Sequence, residues 1–204
     1  MFTTEGRTTM TPRSILAVTD FSEQGGHALA RAALLGAEHR AALQLVYLSQ
    51  PGEVPPPDVA VRLSHHALQI RQRHQIPVHA GTRMDCTVAD VARAAAGHDL
   101  VVWGMAPQRR LRAWFGAHPA IQLLRACRRP VIVVRSAAAQ PYQSLMVAVD
   151  FSQASHRLVE LGLALHPRAR VELFHAVSTA NEGKLRYAEA VSYTHLTLPT
   201  ILLV

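Results

Sequence analysis

A doubly wound α/β fold on a five-stranded parallel sheet, followed by the start of a second unit of the same kind, is predicted by three features of this 204-residue chain. Its apolar runs, such as ILAV at 15–18 and LVVW at 100–103, are continuous, as in strands buried on both faces. Between them lie segments with helical spacing, and a strand-helix alternation implies right-handed crossovers that each bury a helix against the sheet. Finally, SILAVTDFS at Ser14–Ser22 returns as SLMVAVDFS at Ser144–Ser152, so one structural opening is used twice.

The elements follow in order. Residues 1–13 are polar and threonine-rich and are expected to be disordered. The first strand runs to Asp20 and hands over to a helix from Ser22 to His39, with Ser22 at the N-cap, Glu23 in the first turn, and Ala28, Ala32 and Leu35 on one face. Leu43–Leu48 is a second strand, and the proline-rich loop Pro51–Pro57 leads into a helix over Val59–His74. Val78–Thr82 is a third strand. Thr87–Ala96 is a helix with Gly97 as its C-cap, and Asp99–Gly104 is a fourth strand. A loop of arginines and aromatics precedes a helix at Pro119–Ala126 and a fifth strand at Pro130–Val134. The alanine-rich Ser136–Gln143 is a linker. A partial second domain at 144–190 follows, with strand Leu145–Asp150, helix Ser152–Leu165 and strand Val171–Val177. Val191–Thr200 fits no periodicity and resembles a translated transposon-end adaptor from sequencing libraries, so 191–204 is expected to be an artefact.

Charge and length exclude several classes. The net charge of +7 comes almost wholly from arginine, Lys184 being the single lysine, and the arginine clusters lack the interleaved aromatics of single-strand binders, so no nucleic-acid partner is expected. No apolar stretch reaches the ~20 residues of a membrane span, and the opening residues are not those of a secretory signal. Cys86 and Cys127 have neither a disulfide framework nor metal-ligand spacing; both read as small core residues in a reducing, cytoplasmic compartment. His65 and His66 are adjacent on a helix and so diverge, unlike a metal-binding pair one turn apart.

Chemistry concentrates at the predicted C-terminal edge of the sheet. Asp20 and Asp150 are carboxylates delivered to strand tips, where open α/β sheets bind ligands, although Asp-Phe-Ser also serves simply to cap a helix. Gly104 ends the fourth strand, and Gly116 lies just before the Pro119 helix. Together they suit close approach of a phosphate to backbone N–H groups at a helix N-terminus, or else are a turn glycine and an entry glycine.

The strings ILAVTDFS, DLVVWG and RRPVIVV resemble those of the universal stress protein family, over Ser14–Arg135, with the first elements repeated over Ser144–Ser178. The resemblance implies an adenine nucleotide α-hydrolase-like fold in a tandem member with an incomplete second domain. It implies ATP or a related adenine nucleotide as ligand. Nucleotide-binding members carry Gly-x-x-Gly, nine residues, then Gly-Ser or Gly-Thr. Carried over, the cofactor-binding positions are Asp20, Leu48 through its backbone, Gly104, Gly116, Ala117 and His118. Here Pro107 replaces the second glycine, the spacer is eight residues, and Ala117 replaces the hydroxyl residue, which removes donors to phosphate. Arg109, Arg110 and Arg112 lie in the same loop and offer replacement contacts. The resemblance thus implies a cytoplasmic, non-catalytic stress-response module with weak or absent nucleotide binding; the alternative is an ATP-binding or ATP-hydrolysing enzyme of the wider group. It also implies self-association through the fifth strand, intramolecular in a complete tandem protein.

Overall fold

The computed structural model describes residues 11–49, 54–81, 86–104, 119–137 and 140–176, which fall into two compact units, one of Thr11–Pro141 and one that contains the residues from Tyr142 on. Residues 191–204 and the loop at 105–118, with Pro107, the three arginines, Gly116, Ala117 and His118, lie outside the described residues.

The first unit runs β1 (Ser14–Thr19), α1 (Glu23–His39), β2 (Ala42–Tyr47), α2 (Val59–His74), β3 (Val78–Ala80), α3 (Val88–Ala95), β4 (Leu100–Gly104), α4 (Pro119–Ala126) and β5 (Val131–Val134). Its five strands form one parallel sheet in the order β3-β2-β1-β4-β5. The order reverses between β1 and β4: the chain first steps outward through β2 and β3, then returns to the other side of β1. Right-handed crossovers therefore send α1 and α2 to one face and α3 and α4 to the other. Ile15, Leu16, Ala17 and Val18 are all wholly buried because β1, at the centre, has helices over both faces. Leu16 and Val18 join Val46, Leu48, Val91, Val101, Trp103 and Leu123 in one core cluster that also takes in Cys86.

The starts of α1 and α3 follow the expected capping chemistry, whereas Asp58 before α2 makes no side-chain cap. Ser22 is in extended backbone and its hydroxyl accepts from the Gly25 N–H; Thr87 forms a reciprocal capping box with Asp90. The helix ends depart from expectation. Gly97 is not a left-handed cap: α3 closes through tightened bonds from Ala96 N to Arg93 O, from Gly97 N to Ala94 O and from His98 N to Ala95 O. Left-handed caps occur instead at two residues that are not glycine, Arg40 after α1 and Gln75 after α2, both at φ 55.

At the opposite edge from the strand tips of interest, one carboxylate ties the two central strands. Asp99, entering β4, accepts through Oδ2 from the N–H groups of Arg13 (2.9 Å) and Ser14 (3.0 Å) and from the Ser14 hydroxyl (3.1 Å). Partial burial pushes its carboxyl up, but those three bonds and the nearby Arg129 guanidinium prevail and hold it below the ordinary carboxylate value. Its contribution to stability is therefore present above about pH 3.8 and is lost as the pH falls through the lower folded-state value. Replacing Asp99 by alanine should cost about 1–2 kcal/mol at pH 7, the site being partly solvated, and chemical denaturation should find that difference shrinking below pH 3.8.

The second unit comprises β6 (Ser144–Ala148), α5 (Gln153–Leu165) and β7 (Arg170–Phe174), with β6 and β7 paired in parallel. It repeats the opening of the first unit in detail. Ser152 caps α5 through the Ser155 N–H, and Phe151 has the same φ of 60 as Phe21. No helix among the described residues is long and apolar enough to cross a membrane.

Candidate functional site

The turn from β1 into α1 is built from three consecutive side chains. Thr19, wholly buried at the strand end, accepts from the Phe21 N–H through its hydroxyl (3.0 Å). Asp20 accepts through Oδ1 from the Ser22 N–H (3.0 Å) and from the Ser22 hydroxyl, which in turn accepts from the Gly25 N–H. This relay orients the carboxylate at the strand tip and satisfies the first turn of α1 at once. One carboxylate oxygen thus serves the cap, while Oδ2 has no hydrogen-bond partner among the described residues.

Leu48 lies at the neighbouring tip, just past β2. It is buried, and its N–H donates to the Thr19 carbonyl (2.9 Å), while the next N–H, of Ser49, donates to Cys86 (3.0 Å). The backbone donors here are committed to the sheet.

Gly104 ends β4 on the other side of β1. A Cβ placed there would lie 2.0 Å from the Gln24 carbonyl oxygen, 2.4 Å from its carbon and 2.8 Å from the Gly25 nitrogen. The absence of a side chain lets β4 close against the first turn of α1, backbone on backbone. Gly25 is the complementary partner: a Cβ there would meet the Thr19 hydroxyl at 2.6 Å and the Asp20 carboxylate at 2.7 Å. Asp20, Leu48 and Gly104 therefore share one edge, with Asp20 and Gly104 flanking the point where the strand order reverses. Trp103, one residue earlier, is buried in the core.

Phe21 is the residue that the sequence reading passed over. Its ring stacks on Tyr47 at the end of β2, with centroids 4.9 Å apart, and on His66 of α2 at 6.0 Å, and the Arg62 guanidinium carbon sits 4.0 Å from its centroid. Duplication of Asp-Phe-Ser was the available signal. His65 is exposed and His66 half-buried, with their rings edge to face and centroids 6.3 Å apart; among the described residues no group of three or more His, Cys, Asp or Glu could hold a metal ion.

In the second unit Asp150 accepts from the Ser152 N–H (2.9 Å), and the Ser152 hydroxyl first, then that N–H and Ser155, hold its carboxyl down at about 2. Phe151 pairs with His175, at 4.6 Å, where Phe21 pairs with Tyr47. A cavity of about 500 Å³ opens beside Asp150, Ala154, Ser155 and Leu158. The same corner of the first unit is filled in part by Gly104, which lies against Gln24 and Gly25, the counterparts of Ala154 and Ser155.

Residues 12–135 match the sequence model of a family described as the universal stress protein family. Among solved structures, a functionally unknown protein from Pseudomonas aeruginosa PAO1 aligns at 20% identity and TM-score 0.60, over 90% of this chain and 67% of that one. A putative universal stress protein from Pseudomonas aeruginosa UCBPP-PA14 aligns at 20% identity and TM-score 0.59, over 88% and 67%. One from Archaeoglobus fulgidus DSM 4304 aligns at 14% identity and TM-score 0.58, over 86% and 71%. At these identities the likeness is one of fold. No curated protein matches the chain.

Proposed function

Because the chain belongs to the universal stress protein family, we propose that it is a cytoplasmic, non-catalytic stress-response module whose first unit holds an adenine nucleotide weakly at the C-terminal edge of its sheet. One observation carries this reading: Asp20 and Gly104 flank the reversal in strand order between β1 and β4, the crevice where open α/β sheets take ligands. The chemistry at that edge suits a nucleoside. In this reading the Asp20 Oδ2, without a hydrogen-bond partner among the described residues, accepts from a ribose hydroxyl, and the backbone of Leu48 at the neighbouring strand tip meets the base. Phosphate recognition falls to the loop with Gly116, Ala117 and His118, where Pro107 and Ala117 lack the donors that glycine and serine would supply. Weak binding follows from that composition.

Calorimetric titration of the purified protein with ATP tests the reading. Wild type should bind in the high micromolar range or more weakly, and Asp20→Ala should reduce that binding about tenfold or more through loss of a charge-assisted hydrogen bond. Unchanged affinity in Asp20→Ala would place the nucleotide elsewhere or remove it from the account.

The repeated turn geometry of Phe151, Ser152 and Asp150 supports the further reading that residues 144–190 are a partial second domain of the same type, joined by a linker at 136–143, in a tandem member of the family. Self-association through β5 belongs to the same reading. Val131, Ile132 and Val133 are only half-buried at the border of the sheet, an edge suited to pairing with another such strand. Sedimentation should find dimers that Ile132→Lys weakens; a single-chain mass at high concentration contradicts the proposal.

A further inference from the structure

Phe21 occupies left-handed backbone at φ 60, a conformation that a bulky residue keeps only where its surroundings hold it. The holding contacts are few and identifiable. The Thr19 hydroxyl takes the Phe21 N–H, Tyr47 stacks on one part of the ring, and α2 brings up Arg62 and His66. On either side of Phe21 stand Asp20, with its strand-tip carboxylate, and Ser22, the cap of α1. Anything that loosens the ring therefore loosens both.

We propose that His66 makes this turn acid-sensitive: a proton on its imidazole, beside Arg62 and stacked on Phe21, drives α2 and the ring apart and releases the Asp20–Phe21–Ser22 turn. Among the described residues, the groups that face His66 are its helix neighbours His65 and Arg62, the Phe21 ring from the β1–α1 turn and, beyond that ring, Tyr47 of β2. The phenol of Tyr47 stays neutral across the relevant range. The Asp20 carboxylate in the same turn is engaged with Ser22 through Oδ1 alone, and it is not among the groups that shift His66. A positive charge on His66 thus meets two groups of like sign and an aromatic ring already occupied by a guanidinium.

The direction of the effect follows from linkage. Burial first, then His65 and Arg62, hold His66 below its ordinary value of 6.5, so the packed turn carries it neutral at pH 7. Because packing disfavours the proton, the proton disfavours packing, and the release sets in as the pH falls below about 6.5. The proposal concerns the turn itself, whether or not a nucleotide occupies the edge above it.

Backbone amide NMR of the full chain between pH 7.5 and pH 5 tests it, with wild type, His66→Gln and Arg62→Gln. In wild type the amides of Phe21, Ser22 and Gly25 should shift together with a midpoint below 6.5. His66→Gln should abolish that shared titration, and Arg62→Gln should move its midpoint up toward the ordinary histidine value. His66→Phe, which keeps a ring against Phe21, replaces the glutamine variant if the latter does not fold. Amides that stay flat in wild type, a titration that survives loss of His66, or a midpoint unmoved in Arg62→Gln would each overturn the proposal.

Discussion

Gly104→Ala is expected to be the most damaging single methyl group that can be added to the first unit. The new Cβ would stand 2.0 Å from the Gln24 carbonyl oxygen and 2.8 Å from the Gly25 nitrogen, and both are backbone atoms of the turn that β1 and α1 already fix. No side chain can rotate away to make room. Relief requires β4 to withdraw from α1, at a cost of about 3 kcal/mol or more, enough to lower the melting temperature by roughly 10 °C in a domain of this size. Gly26→Ala is the matched control: it lies one residue beyond Gly25 in α1 and a Cβ there meets nothing within 4 Å. That change should raise stability by about 0.5–1 kcal/mol through helix propensity. Thermal unfolding of the two variants separates them; a Gly104→Ala protein that melts with wild type would show that β4 and α1 do not meet as described.

Changing Pro107 to glycine and Ala117 to serine together should tighten ATP binding by ~2–4 kcal/mol, roughly thirty- to eight-hundredfold. Proline at 107 fixes φ and removes an N–H, and alanine at 117 removes a hydroxyl, so the double change restores two donors to the phosphates. The spacer, one residue short of the family pattern, argues for the lower end of that range. The opposite outcome has its own signature. Phosphates carried by Arg109, Arg110 and Arg112 would give a wild type that already binds in the low micromolar range, with binding abolished by alanine at all three and the double change adding little.

The order of elements was legible because burial on both faces turns strands such as ILAV and LVVW into unbroken apolar runs, while serine caps announce α1 and α5. The helix ends were not. Arg40 and Gln75 close α1 and α2 in left-handed backbone, a position where glycine is the expected residue, and Gly97 stands where no such cap is used. Which residue tolerates a positive φ depends on the packing around it, and a local pattern does not carry that information. The site divides in the same way. Asp20 could be set at a strand tip because strand tips follow from strand ends, whereas Leu48 came only from the family resemblance. The reason for a glycine at 104 lay in the backbone of Gln24, eighty positions away along the chain, and reads from sequence only as a turn or a phosphate loop. The Phe21 stack was hidden for a similar reason, since Tyr47 comes from β2 and Arg62 and His66 from α2, and they meet Phe21 only because it adopts a backbone that phenylalanine seldom does.

The pairing of β1 with β4 has a consequence in time. Hydrogen bonds between the two strand entries join Ser14 to Asp99, 85 residues apart, whereas β2 reaches the other side of β1 after a single helix. During synthesis, at about 5–20 residues per second, the first strand and helix therefore wait roughly 4–17 s with one apolar edge of β1 open before its second neighbour leaves the ribosome. Closing that long loop is also the step with the greatest entropy to overcome in refolding, so the half-sheet β1-β2-β3 is the species most exposed to pairing with another nascent chain.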